Sequence, residues 1–465
     1  MMAALALTMT ACSKDDDALT QQPAEQQPTE QTTGRGIPFT ATISIGEGGM
    51  TRALADGGTT LTATWAEGEK VALIHNGVSD EMTVASVSGG KATITGDITG
   101  SPSDGDAVTI IYPATAAKGT TGEVKGSLLK TQEGTLAAVS EKYDVRKGSG
   151  TLTVTAESAT LTDDVAMANK YAVWKLTVPT ARNLCILADN EAIAGATLEG
   201  EQGTVFTVAV PEVDDKTITV VASDDDNNCY YYKNPKTISL AAGKYYRSSP
   251  AMTTVGTSST DDPQLVTGDH SSASGVWVKN FSGYKTVVFC GLIAPQCCFV
   301  SNNDLTIILM GTNSLNTSGI TGFIGSMVVI GDKTLTITGT GSLTAKGGKD
   351  GPCFGAYKQG KNDYPCGDII ISGGILDLTG GNIKDGTGAA GIGTGHGGTC
   401  GNITITEGVT RLTATKVGSA THSIGTGTGG TCGTITIGGT VYWDGSSYQN
   451  GGDTYLTQST LTYEP

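Results

Sequence analysis

Charge is scarce in this 465-residue chain, where Asp, Glu, Lys and Arg together make up only 16%. Aromatic residues are scarcer still, at 6%. Cations number 29 against 45 anions, a net charge of -16. Such a surface repels a polyanionic duplex, and no basic stripe relieves it, which excludes nucleic acid as a partner. The four histidines, His75, His270, His396 and His422, are scattered, so no nucleophile–His–acid arrangement can be read. The ten cysteines do not form a paired CxxC zinc pattern. A chain of this length also has no need of a disulfide framework. Strong helix formers such as Glu, Lys, Arg and Gln are few. What is present is glycine (66 residues), threonine and serine, with an apolar 38% carried by Ala, Val, Ile and Leu. That composition predicts short strands joined by tight turns, spread over two to four domains. Collagen is excluded, because the glycines keep no three-residue period.

The first eleven residues, MMAALALTMTA, are apolar and end in small residues, which is the export-signal pattern. They lack a positive n-region, and they fall short of the roughly 20 residues that anchor stably across a bilayer. Met9-Thr10-Ala11-Cys12 resembles a bacterial lipobox. The following Ser13-Lys14-Asp15-Asp16-Asp17 resembles the surface-export tag of Bacteroidetes lipoproteins. The resemblance implies that Cys12 carries acyl chains and anchors the protein at the outer membrane, exposed to the outside. Residues 18–36 are a Gln/Pro/Glu/Thr stretch that cannot pack a core. They read as a tether of roughly 25 Å.

From Ile37 onward the pattern alternates. Phe39–Ile43, Thr60–Trp65, Lys70–Ile74, Ala92–Thr95 and Val108–Tyr112 read as strands. A second block holds Tyr171–Val178, Phe206–Pro211, Ile218–Val221 and Ser239–Tyr246. Turn signals at intervals of about 8–12 residues are the mark of a β-sandwich. The FTATI segment, Met50-Thr51-Arg52, Trp65–Val71, the IIYP segment, Gln132–Thr135 and AAGKYY together resemble the fimbrillin family of Bacteroidetes, the Mfa-like or type V pilins, over about residues 37–255. That resemblance implies two tandem transthyretin-like sandwiches, surface display, and a role in fimbriae or adhesion. Some members are cut after an arginine, and Arg35 and Arg52 are the candidates here; an ordinary solvated arginine is the commoner reading of either.

Ser258–Pro263 reads as a polar linker. Beyond it the sequence repeats. Leu305-x-Ile307, Leu335-x-Ile337, Ile369-x-Ile371, Ile403-x-Ile405 and Ile435-x-Ile437 are spaced by 30, 34, 34 and 32 residues. Ile324-Gly325, Phe354-Gly355, Ile392-Gly393 and Ile424-Gly425 keep the same beat, as do Cys366-Gly367, Cys400-Gly401 and Cys432-Gly433. Three markers on one period predict a parallel β-solenoid, with Ile and Leu in inward ladders and Gly at corners. Cys366, Cys400 and Cys432 then stack in a column. Three equivalent cysteines cannot all pair, so packing is the favoured reading over a disulfide between neighbours, and a metal column lacks matching histidines. The repeats resemble glycine-rich modules at the ends of secreted bacterial proteins, some associated with carbohydrate binding.

β-Helices also host polysaccharide lyases and hydrolases, which need clustered carboxylates. Asp332, Asp350, Asp363, Asp368, Asp377, Asp385, Glu407 and Asp444 do not recur at one repeat position. No catalytic residue, metal ligand or cofactor is therefore assigned. Sugar binding needs exposed aromatic platforms. Trp277, Tyr284, Tyr357, Tyr364, Trp443 and Tyr448 are irregularly placed, and the last pair, Trp443 and Tyr448, reads as an end cap. The sequence thus predicts an all-β chain. A signal peptide (1–11) and a lipidated tether (12–36) precede sandwiches over 37–154 and 155–255. A linker (256–274) and a capped solenoid (275–465) follow. The expected role is adhesion, as a fimbrial accessory or tip subunit; the alternatives are stand-alone glycan binding or, more distantly, a β-helix enzyme. Expected partners are the outer membrane through the anchor, other fimbrial subunits, and host or bacterial surface glycans.

Overall fold

The computed structural model describes residues 36–45, 64–258, 263–271, 277–317, 327–329, 331–349, 351–359, 362–381 and 387–465. Cys12, Arg35 and Arg52 lie outside the described residues. So does most of the strand expected at Thr60–Trp65. Its last two residues belong to no strand, and the Trp65 ring instead packs edge-on against Tyr112 at 5.1 Å. The described part is all-β, with helices only of single-turn size, such as Leu136–Ala138 and Gly452–Tyr455.

The first module differs from a sandwich of two separate sheets. Ile37–Ile45 pairs antiparallel with Lys91–Ile98 on one side, and parallel with Ala159–Leu161 and Val165–Asn169 on the other. Through Val78–Ser88, Lys70–His75, Ala107–Tyr112 and Arg146–Val154 the hydrogen bonding returns to its start, so a single eight-stranded sheet closes on itself. Closure removes unpaired edges, the positions at which β proteins aggregate. Alternating inward residues, among them Phe39, Ile43, Val71, Leu73, Met82, Ile94 and Ile110, fill its interior. This module extends to Asn169, beyond the expected boundary at 154, because the strands at 159–161 and 165–169 are needed to close it.

The second module is a two-layer sandwich. One layer comprises Glu191–Thr197, Asn183–Ala188, Ile218–Ser223, Cys229–Lys233 and Thr253–Thr254. The other comprises Gly203–Pro211, Tyr171–Ala181 and Tyr245–Ser248. Trp174, Leu176, Leu184, Ile186, Phe206, Val208 and Val220 meet between them.

Beyond residue 263 most strands run parallel, pairing with their equivalents one repeat away, while Asn362–Tyr364 folds back antiparallel on Phe354–Gln359. Leu305, Leu335, Ile369, Ile403 and Ile435 form one in-register ladder, and Ile307, Ile337, Ile371, Ile405 and Ile437 a second. Ser342–Lys346, Ile375–Thr379 and Arg411–Thr415 stack in the same way on Thr312–Asn316. A further parallel sheet runs from Trp277–Asn280 through Cys297–Ser301, Met327–Val329, Phe354–Gln359 and Ile392–Thr394 to Ile424–Gly425. The ladders share one core, where each fully buried aliphatic side chain contributes roughly 1.5–3 kcal/mol. Glycine is obligatory at one corner. Gly355, Gly393 and Gly425 stack at φ of 129°, 118° and 126°, and a Cβ on Gly393 would lie 2.1 Å from the Gly425 carbonyl oxygen. At the carboxyl end, Thr440–Asp444 and Thr460–Tyr463 add antiparallel to the last strands. The stretch read as linker, 256–274, contains the strand Gln264–Asp269. It pairs with Thr286–Ala294 and buries Leu265 and Val266, so the stack begins inside it.

Candidate functional site

An aromatic-lined recess among the described residues lies in the second sandwich, not in the repeats. Tyr245–Ser248 is the marginal strand of its layer and pairs in parallel with Tyr171–Ala181, which places Tyr246 beside Trp174. The opposite layer contributes Tyr232 from Cys229–Lys233, and Ile238–Leu240 lies below. Between them opens a cleft of about 480 Å³. Its floor is the sandwich core itself: Leu176, Ile218, Val220 and Leu240, all buried. Asn234, Ser239, Arg247, Ser248 and Ser249 line the rim. The Trp174 indole Nε1 donates to Ser248 Oγ at 2.9 Å, and Tyr246 Oη accepts from the Ala241 amide at 2.9 Å. Both aromatic rings are thereby fixed in orientation. Arg247 lies over the Tyr245 ring at 5.4 Å, which keeps a cation at the mouth. The cleft can take an apolar or mixed ligand and orient it by hydrogen bonds; it contains no acid–base pair. No spacing in the sequence marks it, because Tyr232, Trp174 and Tyr246 come from three segments, and AAGKYY reads as a strand end and as part of the fimbrillin resemblance.

A second constellation lies on the seam between sandwich and stack. The Lys130 ammonium is buried and donates to the Ala192 carbonyl, with Glu191 and Glu407 as the nearest carboxylates. Burial pulls its pKa down to about 8 against the opposing attraction of Glu191. Two clefts flank this lysine. In one, Asp189, Glu191, Asp214, Lys216 and Glu407 are prominent; in the other, Asn183, Thr197, Glu199, Thr312 and Ser342. The seam itself is partly backbone pairing: the Ala192 amide donates to the Ser372 carbonyl, and Ser372 Oγ donates to the Asn190 carbonyl, each at 3.0 Å.

The residues singled out from sequence fall in different places. Cys366, Cys400 and Cys432 do stand in one in-register column, buried and free. Burial pushes the Cys432 thiol up to about 12. Among the described residues the stack carboxylates do not converge. Asp332 pairs with its neighbour Lys333 at 3.3 Å. Asp377 sits in register with Thr344 and Thr413. Asp444 accepts from the amides and hydroxyls of Ser446 and Ser447, which hold its carboxyl well below the usual range. Asp350, Asp385 and the side chain of Asp363 lie outside what the structure describes. One repeat position was overlooked: Asp304, Asp368 and Asn402 each precede a ladder strand. Their side chains accept from the amides of Thr334, Asn402 and Thr434 at 2.8, 2.7 and 2.9 Å. The mixture of Asp and Asn hid this turn-closing ladder from a count of carboxylates alone. Among the described residues no group of three His, Cys, Asp or Glu side chains is placed to hold a metal.

Of the aromatics of the repeats, Trp277, Tyr284, Trp443 and Tyr448 pack against other rings. Trp277 is covered on one face by His270, with ring centroids 3.8 Å apart, and Tyr284 is buried against Phe281. Trp443 and Tyr448 pack edge to face at 5.0 Å and enclose His422. Nδ1 of His422 accepts from the Thr426 amide, so Nε2 carries the proton and donates to Tyr448 Oη at 2.8 Å. Desolvation, with Lys416 nearby, lowers its pKa to about 4.

No family model matches the chain, and neither does any curated protein. Among solved structures, a fimbrial protein from Bacteroides ovatus is similar at 14% identity and a TM-score of 0.24, over 46% of this chain and 48% of that one. The chain thus spans about half the length of that protein. A fimbrial assembly protein from Parabacteroides distasonis is similar at 12% identity and a TM-score of 0.25, over 46% of this chain and 91% of that one. A likeness at these scores carries no functional argument.

Proposed function

We propose that the chain is a non-catalytic adhesion protein of fimbrillin type, displayed at the outer membrane through lipidated Cys12, and that it engages its partner through the cleft of the second sandwich. The observation that carries this reading is that the cleft opens directly onto the sandwich core beside a marginal strand, Tyr245–Ser248. An apolar floor next to a strand at a sheet margin suits an extended segment of another subunit, which gains main-chain hydrogen bonds and side-chain pockets together. The parallel repeats act in this reading as a β-solenoid that stiffens and extends the sandwich. The accessory or tip role is part of the same proposal.

Ser248 lines the cleft, is exposed, and turns its hydroxyl towards Trp174, so Ser248→Trp places a ring in the cleft from its mouth. Unboiled surface fractions of cells displaying the full chain are expected to give high-mass ladders on gels, and the variant is expected to lose them. A ladder unchanged by the variant refutes the cleft as the contact. The aromatic walls favour one second reading, a surface glycan held against Tyr232 and Tyr246 with Asn234 and Arg247 as hydrogen-bonding partners. Saturable glycan-array binding by the full chain, lost in Ser248→Trp while the ladders persist, would decide for it.

A further inference from the structure

The face by which the stack meets the sandwich holds three cysteines in one buried apolar cluster. Cys185, Leu187, Val221 and Cys229 come from the sandwich, and Val288, Cys290, Ile308 and Met310 from the first rungs of the stack. Two of these thiols face each other across the boundary. Cys229 begins the strand Cys229–Lys233, and Cys290 lies in Thr286–Ala294. Asn227 touches both: its carbonyl accepts from Cys229 Sγ at 4.0 Å and its Oδ1 from Cys290 Sγ at 3.7 Å. The backbone aims them. Pairing of Thr286–Ala294 with Gln264–Asp269 shifts register after Cys290, at Gly291, which adopts a φ of 61°. A Cβ at Gly291 would strike the Asn227 side chain at 2.3 Å, so glycine there lets the Asn227 turn seat against Cys290. Cys185 is set apart from this pair and has Thr340 and Lys130 as its polar neighbours.

We propose that Cys229 and Cys290 are a disulfide site that covalently fastens the stack to the second sandwich. In this structure both are thiols, and each lies in the other's immediate surroundings, which holds the Cys290 thiol below its ordinary pKa and raises that of Cys229. Cys290 is therefore the thiolate that attacks first. The oxidant is a small disulfide, RSSR. Cys290 displaces one RS⁻ to give a mixed disulfide. Cys229, on losing its proton, attacks that Cys290 sulfur and displaces the second RS⁻. In sum, two protein thiols and RSSR give one protein disulfide and two RSH, with both electrons passing to RSSR. Both sulfurs are buried, so exchange proceeds while the seam is open, during folding or in local opening. An extracellular location, which rests on the proposed surface display, is where such a bond persists.

The test needs no ligand. The full chain is refolded in oxidised glutathione, denatured, alkylated, digested without reductant and mapped by mass spectrometry. The expected product is one cross-linked peptide pair joining Cys229 to Cys290, with Cys185 alkylated. Cys290→Ala abolishes the pair, and a protease site introduced between Ser258 and Pro263 gives fragments that separate on gels only after reduction. Alkylation of both Cys229 and Cys290 in the oxidised chain, or pairing of either with Cys185, overturns the proposal. Because the mapping is done on the unsubstituted chain, a poorly folding variant does not weaken it.

Discussion

Gly393→Ala tests the stacked architecture at its narrowest point. Two costs arise there. A φ of 118° lies where side chains are rarely tolerated, a cost of about 1–3 kcal/mol. The added Cβ would also stand 2.1 Å from the Gly425 carbonyl oxygen, backbone that the parallel pairing of Ile392–Thr394 with Ile424–Gly425 holds in place. Overpacking of this kind costs a further 1–3 kcal/mol or so. Together they predict a loss of about 4 kcal/mol, a large share of the roughly 5–15 kcal/mol by which domains are stable. For a region of some 200 residues, where 1 kcal/mol shifts Tm by about 2–4 °C, the drop is about 10 °C. Gly429→Ala is the control. Its φ of 67° is also positive, yet nothing lies within 4 Å of its Cβ. Only the left-handed penalty of about 1–2 kcal/mol remains, a drop of a few degrees. Thermal melts of the full chain followed by circular dichroism read both. Equal shifts for the two variants would refute the stacked corner, because only contact with the next rung separates them.

Three further outcomes are expected. Residues 263–465 expressed alone would expose Val288, Ile308 and Met310, which the sandwich covers in the full chain, so the fragment should bind a hydrophobic dye and self-associate on size-exclusion chromatography where the full chain does not. Urea melts of the parent should show stability rising between pH 8 and 10, and Lys130→Met should flatten that rise: the folded pKa is about 8 against 10.5, the unfolded chain binds the extra proton in that window, and stability rises with pH there. His422 has a folded pKa of about 4 against 6.5, so the unfolded chain takes up the proton as pH falls from 6.5 towards 4 and stability is lost over that window; between pH 7.5 and 5 the loss is about 2 kcal/mol, and urea melts of His422→Gln should lack it.

The repeats were legible because every rung must present the same inward pair, so Leu305 and Ile307 recur four times over and the glycine corners recur with them. Closure of the first sheet was not, since the partners of Ile37–Ile45 lie far along the chain at 91–98 and 159–169, and alternation names a face without naming a neighbour. The seam left a signal that was available but unused. Thr286–Ala294 reads TVVFCGLIA and Leu305–Met310 reads LTIILM, nearly continuous apolar runs, whereas the later equivalents Ile403–Ile405 and Thr434–Ile437 read ITI and TITI. Continuous runs mark strands buried on both faces. The first rungs are therefore the ones covered by the sandwich, and Leu184–Leu187 and Ile218–Ala222 in the sandwich carry the matching signal. The cleft at Trp174, Tyr232 and Tyr246 had no such periodic trace, because three single side chains from separate strands leave no spacing to find.

The seam also changes chemistry along its length, which bears on how the two modules are held in register. At the first rungs it is apolar, through Val288, Ile308 and Met310, and an apolar contact resists separation without specifying a position. Farther along it becomes polar and narrow. Ser372 exchanges hydrogen bonds with the Asn190–Ala192 backbone, and Thr406 Oγ1 donates to Glu191 Oε1 at 3.2 Å. A Cβ at Gly195 would meet Thr340 at 2.3 Å, and one at Gly373 would meet Ala192 at 2.8 Å. A slide of one rung would bring different residues against these close-fitting glycines and strand the Ser372 and Ala192 backbone groups, at about 1–3 kcal/mol for each buried polar group left unpaired. The apolar end supplies the adhesion and the glycine-lined polar end supplies the register, so the stack is held to the sandwich in one position, and the clefts on either side of Lys130 keep a fixed shape.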